Sequence, residues 1–354
     1  MIKTWLAASR KVYNETVDYL KQPDTKANWM AIKLWLLKQQ PIWIQDVPFQ
    51  IKSIAIKDAC QAVKKAKTDS KKTGKPQRVK FRSIKNPVQS IYIPKSAIKG
   101  SGLYPTVLGN LHYTEPLPKD LMDSRLLVRN GSYYLCLSHR TPTSRSENQA
   151  RVVSLDPGVR TFQTFFSESE CGKIGEHAIG RIQRLCSHLD DLISRKSKAT
   201  SAKKRRMGKA ANNMRVKIRN IVDELQWKTI RFLCENYDVI ICPKFETSKM
   251  VIKKSRKIRS KSTRQMLTFS HSTFRDRLHF KAKELGKIVI ESNEAYTSKT
   301  ASWTGEIRNI GGAKSITSQG ITLDRDINGA RGIFLRALVD TPTRKILLQN
   351  LCIS

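Results

Sequence analysis

Acidic residues are scarce in this chain: 29 Asp and Glu stand against 66 Lys and Arg, a formal net charge of +37 over 354 residues. The excess is spread along the whole length and far exceeds what solubility requires, so the expected partner is a polyanion. Equally missing is an apolar run near the eighteen residues that a membrane span needs. No long basic amphipathic helix carries a lipid-seeking face of Trp and Phe, and Met1 opens no secretory signal. No membrane partner is expected, and an intracellular, nucleic-acid-associated protein is, nuclear if the host is eukaryotic. The seven cysteines are scattered and odd in number, with no C-x-x-C pair. They read as reduced core residues rather than a disulfide framework. The six histidines are dispersed as well; His271 and His279 would fall two helical turns apart, too far to share a metal. Neither a G-x-x-x-x-G-K-[ST] loop nor a G-x-S-x-G elbow is present, so nucleotide hydrolysis and serine-hydrolase chemistry have no support. No internal repeat is visible.

What is present falls into three stretches. Ile2, Trp5, Leu6, Val12, Tyr13, Val17 and Leu20 recur at helical spacing, as do Ile51, Ile54, Ala55, Ala59 and Val63. About three helices are expected in residues 1–75. From residue 76 to 140 the pattern changes to short strands, VKF, SIYI and LLVRNGSYYLCL, in which Asn130-Gly131 is a strong two-residue hairpin signal. This reads as a small β-barrel-like module. After a polar linker comes the third stretch, 150–354. Strands at Val152 to Leu155, Thr161 to Phe166 and near Glu176 to Ile179 precede a basic helical region from Arg181 to Asn236 with an apolar stripe of Ile218, Ile221, Val222, Leu225 and Leu233. A strand at Asp238 to Cys242, a helix through Phe280, a strand at Lys287 to Ile290 and a closing helix complete it. The order β-β-β-α-β-α-β-α suits a mixed sheet flanked by helices, and the class is multidomain α/β.

Three acids stand out against the cationic background. Asp156 ends the strand of VVSLDPGV, Glu246 follows the strand of VIICPKF, and Asp326 opens the helix DINGARGIFLRAL. A carboxylate on the last rung of a buried strand is poorly placed for a solvated acid and well placed for a divalent cation. Phosphodiester cleavage needs an activated water and a neutralised leaving oxygen, and two metal ions about 4 Å apart supply both when hard oxygen ligands hold them. Singly, each acid has an ordinary account as turn, strand end or helix cap. Asp324 competes for the third place, although a cap is its common role. Their joint order favours metal-dependent phosphodiester chemistry.

The words LDPGVRTFQTFF, DELQWKTIRFLCENYDVIICPKFETSKM, ESNEAYTSKT and LDRDINGARGIFLRAL resemble the TnpB proteins of bacterial insertion sequences and their Fanzor relatives in eukaryotes and giant viruses. The first is more similar to the Fanzor branch, and KTWLAASRKVYNETVDYL resembles the family's first recognition helix. The resemblance implies an RNase H-like RuvC nuclease domain with a mixed sheet, preceded by a helical recognition segment and a β wedge module. It implies a transposon-associated endonuclease that a guide RNA directs to cut target DNA. Asp156, Glu246 and Asp326, rather than Asp324, would be the catalytic carboxylates and would hold Mg²⁺ or Mn²⁺.

Departures from the pattern are specific. Where the family has TSKTC-x-x-C, this chain has TSKT followed by Ala301, Ser302, Trp303 and Thr304, and the second pair is absent from GGAKSITSQGITL. Structural zinc takes about four Cys or His ligands, so no zinc is expected, and residues near 295–321 read as a degenerate ribbon. Such a site contributes on the order of ten kcal/mol, so its loss calls for compensating packing. The chain also begins almost at the first helix, where relatives carry a wedge strand, and Gln226 stands where many have His. Two basic runs are candidate nucleic-acid contacts: Lys203, Lys204, Arg205 and Arg206, and Lys253, Lys254, Arg256, Lys257 and Arg259 within VIKKSRKIRSKSTR. They also suit nuclear-localisation signals. Trp303 and Tyr296 are candidate stacking residues, whereas Trp227 is expected in the core. The alternative is a catalytically impaired guide-RNA and DNA-binding relic, and a third reading is a general RNA-binding protein. The oligomeric state is not legible.

Overall fold

The computed structural model describes residues 1–142, 150–245, 247–252, 259–292, 299–309 and 313–339. The chain divides into two compact units, Met1–Thr141 and Pro142–Ser354.

In the first unit, helices α1 (Ile2–Tyr19), α2 (Trp29–Leu36), the single turn α3 (Ile42–Gln45) and α4 (Phe49–Thr73) follow the apolar periodicity. Asn28 caps α2, its Oδ1 accepting from the Met30 amide at 3.1 Å. Strand β1 (Val88–Ile93) leads through the short hairpin β2 (Ile98–Lys99) and β3 (Gly102–Leu103) and the turn α5 (Pro105–Leu108) to β4 (Ser124–Arg129) and β5 (Ser132–Cys136). Asn130 and Gly131 join β4 to β5 with φ of 52° and 89°, the paired left-handed geometry of a two-residue hairpin. Ile91, Ile93 and Leu126 from the strands share one core with Trp5, Leu6, Ile44 and Ile51 from the helices. A carboxylate ties the same elements together, Asp58 of α4 accepting from Arg125 at 2.8 Å and Arg82 at 3.1 Å. The barrel-like expectation is corrected here. The sheet is open and three-stranded, in the order β1-β4-β5, and no closed barrel occurs among the described residues. The VKF segment at 79–81 is not a strand; three short strands are too few for the sheet to curl until its edges meet.

The second unit is built on a five-stranded mixed sheet. Strands β6 (Val152–Pro157), β7 (Gln163–Ser167) and β8 (Cys171–Ile174) form an antiparallel meander. Helices α6 (Glu176–Ser197) and α7 (Ser201–Asn236) then return the chain to β9 (Val239–Pro243), parallel to β6. The turn α8 (Thr247–Met250), helices α9 (Ser260–Phe269) and α10 (His271–Glu284) and strand β10 (Ile288–Ser292), parallel to β9, come next. A hairpin of β11 (Ser315–Ser318) and β12 (Ile321–Asp324) leads into α11 (Arg325–Val339). The sheet order is β10-β9-β6-β7-β8, so the mixed sheet expected from the element order is present. One strand is displaced: the third lies at Cys171–Ile174, and Glu176, expected in a strand, instead begins α6. Gly175, with φ of 89°, makes that break.

Alternation along the strands gives the sheet two unlike faces. Val153, Leu155, Phe165 and Ile240 face α6, α7 and α10 in the largest core. Val152, Phe166 and Ile241 face Ile333, Phe334 and Ala337 of α11. Of the expected α7 stripe, Ile218, Val222 and Leu233 are buried, and Ile221 and Leu225 pack against the same core. At the far end of the parallel pair, buried Asp238 accepts from Lys287 at 2.7 Å and from Arg151 at 3.2 Å. The cysteines at 60, 136, 171, 186, 234 and 242 are free thiols, as read from the sequence; Cys352 lies outside the described residues. No helix among the described residues is long and apolar enough to cross a membrane.

Candidate active site

Val152, Ser154 and Asp156 occupy alternate positions of β6 and so point to the α11 face. That helix is laid down closely: Ser154 Oγ donates to the Ala330 carbonyl at 2.7 Å, and Asn328, Gly329 and Ala330 are buried. At Gly329 the approach is closest. A Cβ there would fall on Asp156 Oδ2 and lie 3.3 Å from Asp156 Cγ. The Asp156 carboxylate therefore rests against the backbone of α11. Asp326 lies three residues earlier on the same helix, about 4.5 Å along its axis and on a neighbouring part of its surface. The first of the expected acids thus lies against the helix that carries the third, at a glycine whose lack of a side chain makes room for a carboxylate.

Asp324 has a different job. Its Oδ1 accepts from the amides of Asp326 at 2.9 Å and Ile327 at 3.3 Å, the geometry of a helix N-cap. Its Oδ2 accepts from Lys173 Nζ at 2.7 Å. Burial opposes the charge on Asp324, but the bonds from Lys173 and the two amides outweigh it and hold the carboxyl below its usual range. Lys173 is pushed the other way, raised chiefly by the hydrogen bond to Asp324 and further by the charges of Asp324, Asp326 and Glu176.

Glu246 lies outside the described residues. Its neighbour Phe245 is described, and its ring meets the His271 ring edge-on at 5.0 Å. His271 also stacks on Phe162 at 5.3 Å, and its Nε2 donates to the Gly158 carbonyl at 3.2 Å, in the turn that follows Asp156. A single buried imidazole thus packs on the turn after one acid and on the residue before another. Burial holds its pKa down to about 4, the bond to Gly158 opposing, so the ring is neutral near pH 7. An unfolded chain takes up this proton near pH 6.5 and the folded one not until about 4. Stability is therefore expected to fall as pH drops through that window, by up to about 3 kcal/mol. Denaturant melts across that range check this: His271→Gln should flatten the slope, and an unchanged slope would contradict the burial argument.

Among the described residues no group of three His, Cys, Asp or Glu side chains is placed to hold a metal. Asp156 and Asp326 carry hard-oxygen donors of the kind a divalent ion takes, and the glycine leaves the first carboxylate room. The third donor implied by the sequence is Glu246.

The segment expected as a degenerate ribbon is fastened by hydrogen bonds. Trp303 Nε1 donates to the Ser318 carbonyl at 3.2 Å, Ser318 Oγ donates to Glu306 at 2.7 Å, and Arg331 donates to Ser302 Oγ at 2.9 Å. Asn328, on α11 beside Gly329, accepts from the Ser302 amide and donates to the Thr300 carbonyl, both at 2.9 Å. Residues 300–304 are in this way bound to the helix that carries Asp326.

Comparison with known proteins is consistent with this layout. A family model described as the Cas12f1-like TNB domain matches residues 271–333, which include the hairpin and Asp326. A putative transposase, A625R, of Paramecium bursaria Chlorella virus 1 is 29% identical over 243 residues, covering 67% of this chain and 55% of the viral protein. The TnpB-like protein L770 of Acanthamoeba polyphaga mimivirus is 26% identical over 266 residues, covering 72% of this chain and 51% of that protein. Over about two thirds of its length the chain is thus similar to TnpB-like proteins and transposases of giant viruses. It spans about half the length of these viral relatives. The chain also shares its fold with Cas12f1 as solved in a complex with single-guide RNA and target DNA. That match has a TM-score of 0.52 at 12% identity and covers 94% of this chain and 82% of Cas12f1.

The basic residues expected to meet nucleic acid are placed as follows. Lys203, Lys204, Arg205 and Arg206 are all exposed in the first turns of α7. Arg259 is exposed just before α9, whereas Lys253, Lys254, Arg256 and Lys257 lie outside the described residues, as does Tyr296. Trp227 corrects an expectation. It is 44% exposed, not core, and the Arg277 guanidinium lies 5.3 Å from its ring. The buried neighbour is Gln226, whose Nε2 donates to the Phe269 carbonyl at 2.7 Å while its Oε1 accepts from Arg277 at 2.7 Å. Sequence reasoning missed Gly329 and Lys173. The first had a readable signal, a glycine three residues after the helix-opening acid; the second appears once strand register is known.

Proposed function

We propose that this TnpB-like chain is a transposon-associated, RNA-guided, metal-dependent DNA endonuclease of the RuvC type, nearest the Fanzor branch. The observation that carries the reading is the approach of Asp156 to the Gly329 backbone, one turn from Asp326. Asp156 rests on α11 and Asp326 stands in the first turn of that helix, in a chain of net charge +37. Asp156, Asp326 and Glu246 would hold Mg²⁺ or Mn²⁺. Bound there, such ions supply charge neutralisation at the phosphate and activation of the attacking water. The rest of the work falls to this chain's own groups. Ser154 fixes α11 to the sheet, Asp324 caps the helix so that Asp326 is presented from its first turn, and His271 sets the turn after Asp156. The exposed cations at 203–206 bind backbone phosphates of guide or target.

The test uses the full chain purified with its copurifying RNA. Sequencing that RNA should return one discrete species, and duplex DNA matching its variable end should be cut when Mg²⁺ is added. A heterogeneous cellular RNA pool with no cutting contradicts the reading. A discrete RNA with no cutting at any Mg²⁺ concentration selects the non-cleaving relic, which the missing cysteine pairs of the ribbon segment favour.

Binding carries its own prediction. Replacing Lys203, Lys204, Arg205 and Arg206 by Gln should weaken duplex DNA binding and lower the slope of log affinity against log salt. Each phosphate that is no longer neutralised reduces the slope by about 0.9, so the decrease is about 3 to 4 if all four engage. Fluorescence anisotropy over a salt series reads it, and an unchanged slope removes this helix from the interface.

A further inference from the structure

Lys173 sits in the acid cluster without a role in the reading above. Strand register places it there: Asp156 pairs across β6 and β7 with Thr164, and Thr164 pairs across β7 and β8 with Lys173. Residues paired in one row share a face of the sheet, so Lys173 rises on the same α11 face as Asp156. Its Nζ is 2.7 Å from Asp324 Oδ2 and 3.8 Å from Glu176 Oε1. The charge of Asp326 also acts on it. With its side chain 24% exposed and that of Asp324 33%, the pair is partly withdrawn from water, where charges act more strongly than on an open surface. One ammonium thus stands on the sheet face that carries Asp156, bonded to the carboxylate that caps the helix of Asp326.

We propose that Lys173 is the resident counter-cation of this acid cluster: it steadies the start of α11 through Asp324 and weakens divalent-ion binding at Asp156 and Asp326. The inference rests on the nuclease reading, since it takes these two carboxylates as metal donors. Without metal, the carboxylates repel one another and Lys173 offsets part of that repulsion. With a divalent ion present, the same ammonium repels it, and a unit charge within one or two side-chain lengths changes affinity by roughly tenfold. Lys173 acts through Asp324 and through its field, so it is a positioning residue rather than a catalytic one.

Mn²⁺ binding to the full chain, followed by the decrease of the free-ion electron paramagnetic resonance signal, tests this. Lys173→Met is expected to bind Mn²⁺ about tenfold more tightly than the unaltered protein and to melt at a lower temperature without metal, because Asp324 loses its partner. Lys173→Gln, which keeps a hydrogen-bond donor for Asp324, should show the tighter binding with a smaller fall in melting temperature. Lys173→Arg should match the unaltered protein. Adding Asp156→Ala to Lys173→Met should abolish the gain. A purely structural role predicts weaker Mn²⁺ binding in both Lys173→Met and Lys173→Gln, and that result overturns the proposal. Mn²⁺ binding that depends on Asp156 but is unmoved by either substitution overturns the Lys173 role alone. Absence of Asp156-dependent binding in every variant overturns the nuclease reading and this inference together.

Discussion

Asp156→Ala is expected to reduce Mg²⁺-dependent DNA cutting by roughly a thousandfold or more while leaving RNA binding and melting temperature close to those of the unaltered protein. The size follows from what is removed. A carboxylate that helps hold the catalytic ions contributes several kcal/mol to the transition state, and each 1.4 kcal/mol is a factor of about ten in rate. The selectivity follows from where Asp156 sits. It lies at the end of β6, half-buried against a glycine, while the cores on both sheet faces are made by other residues of the strand. Single-turnover cutting of a matching duplex measures the first effect and thermal melting the second. A variant that cuts within about tenfold of the original rate would contradict the assignment of Asp156 as a metal ligand.

Gly329→Ala carries the second large effect, and its sign is diagnostic. In an ordinary helix interior alanine is favoured over glycine by about 1 kcal/mol, so a stabilised protein would result if nothing opposed the new methyl. Here that methyl falls on the Asp156 carboxylate. The helix has little freedom to retreat, since Ser154 bonds to Ala330 and Ile333, Phe334 and Ala337 are packed on the sheet. Either Asp156 turns away or α11 lifts, and overpacking of this kind costs about 1–3 kcal/mol. The expected outcome is a net destabilisation and a loss of cutting of about a hundredfold or more, read by denaturant melts and single-turnover kinetics. A variant that is more stable and fully active would show that the helix and the carboxylate do not touch.

Much of the second unit was legible in the sequence because its signals are local. Apolar runs marked β6, β7, β9 and β10, the Asn130-Gly131 pair marked the hairpin of the first unit, and acid-first helices marked α11. The turn after Asp156 was likewise visible in Asp-Pro-Gly. What escaped depends on neighbours distant in sequence. Lys173 joins Asp156 only through the register of three strands, and nothing near Lys173 in the chain announces it. The displaced third strand shows the same limit, because CGKI has no alternation to set it apart and Gly175 ends it by backbone geometry. Trp227 was expected in the core because it follows the apolar stripe. It falls one residue past Gln226, which turns inward to bond Phe269 while Trp227 turns out beside Arg277. The residues alone left Asp324 and Asp326 as competitors, and only the family resemblance preferred Asp326; the hydrogen bonds that make Asp324 the helix cap depend on the folded geometry.

Radical mapping with Fe²⁺ in place of Mg²⁺ is the most direct measurement of where a divalent ion sits. Ascorbate and peroxide then cleave the polypeptide close to the bound metal. Scission is expected around Asp156, Glu246 and Asp326 together, suppressed by excess Mg²⁺ and abolished in Asp156→Ala. Scission confined to other residues, or none that Mg²⁺ suppresses, would contradict the claim that these three acids hold one metal centre.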